Sequence, residues 1–249
     1  MTLKKLIPAL ATTALVALTL PAFAQTATEA PATEAPAADA PAATTPKGPN
    51  VKSSATGTKG AVATLAMAQD LYALGMTNKD ALTVLTAAKL AGSVEVKEVE
   101  RKKDTKGTEL AGEAEGKDLP VDAATMMASA KELAGEDEVL AGLVEDAMVE
   151  AGRGRVGGAS STLSRLPAGQ TDTWEVPFYG DSYAELAVVG DGDSNLDVLV
   201  TDESGNTICY DVSWSDQVYC DFVPAWNGYF YVTVQNNGSS RNSYYLMTN

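Results

Sequence analysis

From Trp174 onward the apolar residues of this chain recur at every second position, and that period leaves little choice of backbone. Trp174, Val176 and Phe178 alternate, as do Ala184, Leu186 and Val188, then Leu196, Val198 and Val200. Phe230, Val232 and Val234 follow, and then Tyr244 and Leu246. Only a strand places residues two apart on one face, so each run reads as a half-buried β-strand. Gly, Asp and Asn separate the runs and supply turns, which predicts an antiparallel sandwich or jelly roll. The roughly 90 residues of 161–249 hold all three tryptophans and suffice for a core of their own.

The chain has two cysteines, Cys209 and Cys220, both in this region. In an oxidising compartment so close a pair forms a disulfide, with a metal pair or a reactive thiol as the alternatives. A hairpin register that places 209 opposite 220 also places 211 opposite 218 and 213 opposite 216, with the turn at Trp214-Ser215. Histidine is absent. That excludes Ser-His-Asp and Cys-His nucleophilic machinery and every His-containing zinc site.

One stretch offers a candidate chemical site. In Val189-Gly-Asp-Gly-Asp-Ser-Asn-Leu-Asp-Val-Leu-Val-Thr-Asp202, oxygen-bearing side chains stand at Asp191, Asp193, Asn195 and Asp197. Alternate oxygen ligands along a curved segment can converge on one hard cation, so Ca2+ is the candidate cofactor, with roughly millimolar affinity in an extracellular module. The spacing is not that of an EF-hand, which needs Gly where Leu196 stands and Glu where Asp202 stands. The competing reading is an acidic turn whose Asp and Asn side chains cap backbone amides.

The rest of the chain predicts an α+β multidomain protein, with a small helical unit of two αα-hairpins ahead of the sandwich. Residues 1–24 have the form of a signal peptide: Lys4 and Lys5, the apolar run Leu6 to Leu20, then Ala22-Phe23-Ala24. The run is shorter than the roughly 20 residues of a spanning helix, so no membrane insertion is expected after cleavage before Gln25. Residues 25–59, rich in Pro, Ala and Thr, read as a disordered spacer.

Residues 60–153 read as the helical unit. Val62, Leu65, Ala68 and Leu71 recur at helical spacing with Gly75 as a stop, and Asn78 caps a second helix carrying Leu82, Leu85 and Ala88. Val94, Val96 and Val99 fit a short strand or a frayed helix, and 97–118, dense in charge and glycine, reads as a mobile loop. A second hairpin carries Met126, Ala130 and Leu133, then Val139, Leu140, Leu143, Val144, Ala147 and Met148, with its methionines as core filler. Residues 154–160 read as a linker.

The formal charge is −15, and removal of Lys4 and Lys5 with the leader makes it −17. Such a chain repels nucleic acid and anionic lipid. The localisation expected is periplasmic or secreted, and the partner a protein or surface polymer that the sequence does not identify.

Three stretches together resemble a known family. They are Leu166-Pro-Ala-Gly-Gln-Thr171, then Gly190 to Gly205, then Pro224-Ala-Trp-Asn-Gly-Tyr-Phe-Tyr-Val-Thr-Val-Gln-Asn236 with Tyr244 and Tyr245 near the end. In this order they resemble the bacterial pre-peptidase C-terminal domain over about 160–249. The resemblance implies a β-sandwich accessory domain of exported proteins, in some cases serving secretion, polymer binding or calcium-dependent stabilisation. The family's Asp-Leu-Asp core is here Asn195-Leu196-Asp197. The function expected is therefore a non-enzymatic binding module, with exposed aromatics such as Trp214 and Trp226 as contacts unless they belong to the core. The alternative is a carboxylate-dependent hydrolase of an envelope or extracellular polymer, which needs two carboxyls about 5–10 Å apart across a cleft.

Overall fold

The computed structural model describes residues 48–52, 59–108, 110, 117, 120–150 and 158–249. The expected leader and most of the expected spacer and linker lie outside the described residues. The elements, in order, are helices α1 (Ala61–Asn78) and α2 (Ala81–Gly92), strands β1 (Glu95–Glu98) and β2 (Lys102–Gly107), and helices α3 (Ala123–Ala134) and α4 (Glu138–Glu150). Eight strands follow: β3 (Gly158–Leu166), β4 (Gln170–Phe178), β5 (Ala184–Val189), β6 (Leu196–Thr201), β7 (Thr207–Asp211), β8 (Gln217–Phe222), β9 (Gly228–Asn236) and β10 (Asn242–Thr248). None of the helices among the described residues is long and apolar enough to cross a membrane.

The strands form two sheets in the orders β1-β3-β10-β5-β8 and β2-β4-β9-β6-β7. Setting β1 and β2 aside, this is the strand order of a jelly roll. The inward positions are the alternating residues: Trp174, Val176 and Phe178 of β4, Phe230, Val232 and Val234 of β9, and Leu186, Val188, Tyr244 and Leu246 from the opposite sheet. Phe178, Phe222 and Phe230 pack with ring centroids 4.9–5.5 Å apart.

The α+β class stands, but the segment 97–118 differs from the loop expected of it. Each of β1 and β2 extends one sheet at its edge: β1 runs parallel to β3 and β2 antiparallel to β4. Strand β1 is the short strand that Val94, Val96 and Val99 allowed, while β2, exposed and charged throughout, carries no apolar alternation. What holds β2 is polar. Lys103 Nζ and Thr105 Oγ1 donate to Asp172 (3.1 and 2.5 Å), a fully buried carboxylate that also accepts from Ser164 Oγ (2.6 Å) and Tyr244 Oη (2.7 Å). The spacer too is partly ordered. Asn50 is fully buried; its backbone N–H donates to Asp202, and its Oδ1 accepts from the Ala225 and Trp226 amides.

Helix α1 lies on the outer face of the first sheet. Val62 and Leu65 pack there with Ala187, Val189, Ala159 and Met247, so β5 is buried on both faces. The Gly60 amide at the start of α1 donates to Glu185 Oε1 (2.7 Å), placing a buried carboxylate at the positive end of a helix. Gly75 does not stop α1; the helix runs to Asn78 and ends at Lys79 in the left-handed region (φ 54°). A Cβ at Gly75 would come within 2.6 Å of Val84 Cγ2, so glycine here permits the close approach of α2. The N-cap of α2 is Asp80 rather than Asn78, its carboxylate accepting from the Leu82 amide at 3.0 Å. Helices α2, α3 and α4 bury Val84, Leu85, Met126, Met127, Val144 and Ala147 together. On α4, Val139, Leu143 and Met148 are exposed instead.

Candidate functional site

The acidic loop joins β5 to β6, with Gly192 in the left-handed region (φ 84°). Its carboxylates turn toward backbone amides and one lysine. Asp191 is buried; its Oδ1 accepts from the Asp193 amide (3.0 Å) and its Oδ2 from the Ser243 amide on β10 (2.8 Å). Asp193 Oδ1 pairs with Lys117 Nζ at 2.9 Å, and its Oδ2 accepts from the Lys117 amide. Lys117 Nζ also donates to the Asp191 carbonyl (2.8 Å). Asn195 Nδ2 donates to Asp197 Oδ1 (3.2 Å), while Asp197 Oδ2 accepts from Asn237 Nδ2 (2.5 Å). Asn195 Oδ1 is buried with no partner among the described residues.

The environments of the first two carboxyls diverge. Burial pushes Asp191 up, against the pull of the Ser243 and Asp193 amides. Burial also acts to raise Asp193, but the hydrogen bonds and charge of Lys117 outweigh it and hold that carboxyl below the ordinary value. Divergent neighbours of this kind are the pattern of an acid–base pair. Here, however, Asp191 is spent on two amides and is 3 % exposed, which leaves it no face for a substrate.

A calcium site needs six to eight oxygens around one point. Among the described residues no three His, Cys, Asp or Glu side chains are gathered so as to hold a metal, the three aspartates of this loop included. The ammonium of Lys117, between the Asp191 carbonyl and the Asp193 carboxylate, supplies positive charge where a cation was expected to do so. Lys117 falls in the segment read as a loop, and nothing in the sequence signals that pairing.

Cys209 and Cys220 are bonded, with Cα atoms 6.5 Å apart, but not across a hairpin. Strand β7 pairs with β6 and β8 with β5, so the bond ties the edge of one sheet to the edge of the other. The register expected across Trp214-Ser215 does not form, because Cys209 lies opposite Val200 and Cys220 opposite Leu186. Both cysteines thereby face the shared core, which their pairing closes at one end.

Beyond the clamp the chain crosses between the sheets and turns aromatic residues outward. Tyr210 and Val212 are exposed, and Trp214 is 97 % exposed. Trp226 is half-buried and its Nε1 donates to Glu203 (2.6 Å), while Trp174 is buried with its Nε1 on Tyr244 Oη (2.7 Å). Of the two tryptophans expected as contacts, Trp214 is the one fully presented to solvent.

No family model matches the chain, and no curated protein matches it. Among solved structures, the pre-peptidase C-terminal domain of a collagenase from Bacillus anthracis aligns with 63% of this chain and 96% of its own, at 8% identity and a TM-score of 0.26. So slight a likeness carries no argument.

Proposed function

We propose that this chain is an exported, non-enzymatic accessory module related to the pre-peptidase C-terminal domains, and that the connection between β7 and β8 is its contact surface. The observation that carries the reading is the exposure of Trp214 next to Tyr210 and Val212, on a segment anchored at both ends by the Cys209–Cys220 bond. A fully solvated indole gains nothing in the free protein, whereas aromatic anchors held by a rigid scaffold are what binding surfaces use. The leader-like start and the disulfide support export. The ordered landmarks at 166–171, 190–205 and 224–236 support the family assignment; two of them form the turn and loop that flank the jelly-roll core.

In-cell crosslinking of the chain starting at Gln25, followed by identification of what it touches, tests this. A specific protein or surface polymer is the expected product. Recovery of no specific species refutes the binding role.

A further inference from the structure

Residues 48–52 belong to the expected spacer, yet they lie in a seat on the jelly roll built by the β6–β7 turn and the β8–β9 connection. The centre of the segment is Asn50, 0 % exposed, with both polar atoms of its side chain engaged. Its Oδ1 accepts from the consecutive Ala225 and Trp226 amides, both at 3.0 Å, and its Nδ2 donates to Glu203 Oε2 (3.3 Å). The Asn50 amide donates to Asp202 Oδ2 (2.8 Å), and the Lys52 amide to the Val223 carbonyl (2.9 Å). Val51 packs against the jelly-roll core, and Lys52 Nζ pairs with Asp181.

The seat has supports of its own. Asp202 Oδ1 accepts from the Ser204 and Asn206 amides (both 2.9 Å), and Glu203 Oε1 accepts from Trp226 Nε1 (2.6 Å). Gly228 leaves the space: a Cβ there would come within 2.7 Å of Asn50 Nδ2 and 2.9 Å of Glu203 Oε2. Two backbone N–H groups on one side and a carboxylate on the other match a carboxamide, which accepts at one atom and donates at the next. Aspartate in its place would set a carboxylate against Glu203. Alanine would leave the Ala225 and Trp226 amides without their acceptor. Asp181, Asp202 and Glu203 make the surroundings acidic, which suits the lysine two residues beyond the asparagine.

We propose that this seat is a peptide-recognition site selective for an asparagine–apolar–lysine segment, and that residues 48–52 are its built-in ligand. Strand β7 runs from the seat to the connection that carries Trp214, so the two lie at opposite ends of the jelly roll and the proposal stands independently of the contact surface described above. A short connection to α1 keeps the ligand at roughly millimolar effective concentration, so a weak intrinsic affinity suffices to fill the seat. Another protein bearing the same segment competes with the spacer for it.

The test uses the disulfide-bonded chain from Gln25 carrying Asn50→Ala, with a synthetic peptide of residues 46–53 offered in trans. The readout is the Trp226 indole N–H signal in NMR, because that group is bonded to the glutamate that receives Asn50. Asn50→Ala should shift the signal, and the peptide should return it saturably to the position it has in the parent. Peptides carrying Asn50→Asp or Asn50→Ala should bind about tenfold or more weakly. Gly228→Ala, added to the Asn50→Ala chain, should abolish the recovery. The proposal is overturned if the parent peptide does not restore the signal, if either altered peptide restores it equally, or if Gly228→Ala makes no difference. An Asn50→Ala chain that fails to fold overturns it too, because the asparagine would then be part of the core rather than a ligand.

Discussion

Replacing Asp172 with alanine removes the acceptor that fastens β2 to the jelly roll. Its carboxylate takes hydrogen bonds from Lys103, Thr105, Ser164 and Tyr244, and is fully buried. After truncation, Lys103 and Thr105 can turn to water, since β2 is exposed throughout. Ser164 and Tyr244 cannot, being 4 % and 0 % exposed. Each buried donor left unsatisfied costs about 1–3 kcal/mol, and hydrogen bonds to a charged acceptor lie toward the upper end. The expected loss is about 3–5 kcal/mol, or a fall in Tm of roughly 6–20 °C for a unit of this size. Urea unfolding read by tryptophan fluorescence gives the free energy. A Lys103→Met variant and the double variant complete a thermodynamic cycle, whose coupling is expected at about 1 kcal/mol or more. A loss below about 1 kcal/mol for Asp172→Ala would show that water replaces the carboxylate, and would refute the claim that this network holds β2.

Three further outcomes follow from the same geometry. Converting both Cys209 and Cys220 to alanine opens a loop of sequence separation 11 and should cost about 2.8 kcal/mol on the chain-entropy model, seen as a lower urea midpoint; an unchanged midpoint would contradict the clamp between sheets. Burial raises the Asp202 carboxyl, but hydrogen bonds from Asn206, Asn50 and Ser204 prevail and hold it below the ordinary value. Its stabilisation is therefore complete above about pH 4 and disappears as pH falls through the lowered value, so Asp202→Asn should flatten the acid limb of stability below about pH 4, and an unaltered limb would sink that assignment. Because Lys117 already engages the Asp191 carbonyl and Asp193, millimolar calcium should leave the Tm of the full chain unchanged relative to chelator; a rise of several degrees would show that the ion displaces the lysine.

The parts of the fold that were legible are those written in apolar period. Trp174, Val176 and Phe178, or Phe230, Val232 and Val234, announce a buried face because nothing but a strand aligns them. Strand β5 was only half legible: Leu186 and Val188 marked its inner face, but Ala187 and Val189 are buried by α1, a partner the local pattern does not reveal. Strand β1 is one of the two forms that Val94, Val96 and Val99 allowed, whereas β2 was invisible because apolar packing does not define it; Lys103 and Thr105 lie about 70 residues from Asp172 in sequence and meet it only through β-pairing. The disulfide was readable as a pair yet misplaced, since a spacing that suits a hairpin suits a crossover between sheets equally well. At the acidic loop the residue types were plain, but Lys117 came from a stretch with no signal at all. Exposure of Trp214 was open in the sequence, because an indole at a turn suits either core or contact, and only the packing of its neighbours separates the two.

The most direct measurement is the affinity of the captured partner or polymer for three forms of the chain: the parent, Trp214→Ala, and Leu143→Ser at an exposed apolar site on α4. Loss of binding by about tenfold or more in the first variant, with the second indistinguishable from the parent, is what a contact surface at the β7–β8 connection predicts. Undiminished binding by Trp214→Ala, or loss in Leu143→Ser instead, would place the surface elsewhere and contradict the account.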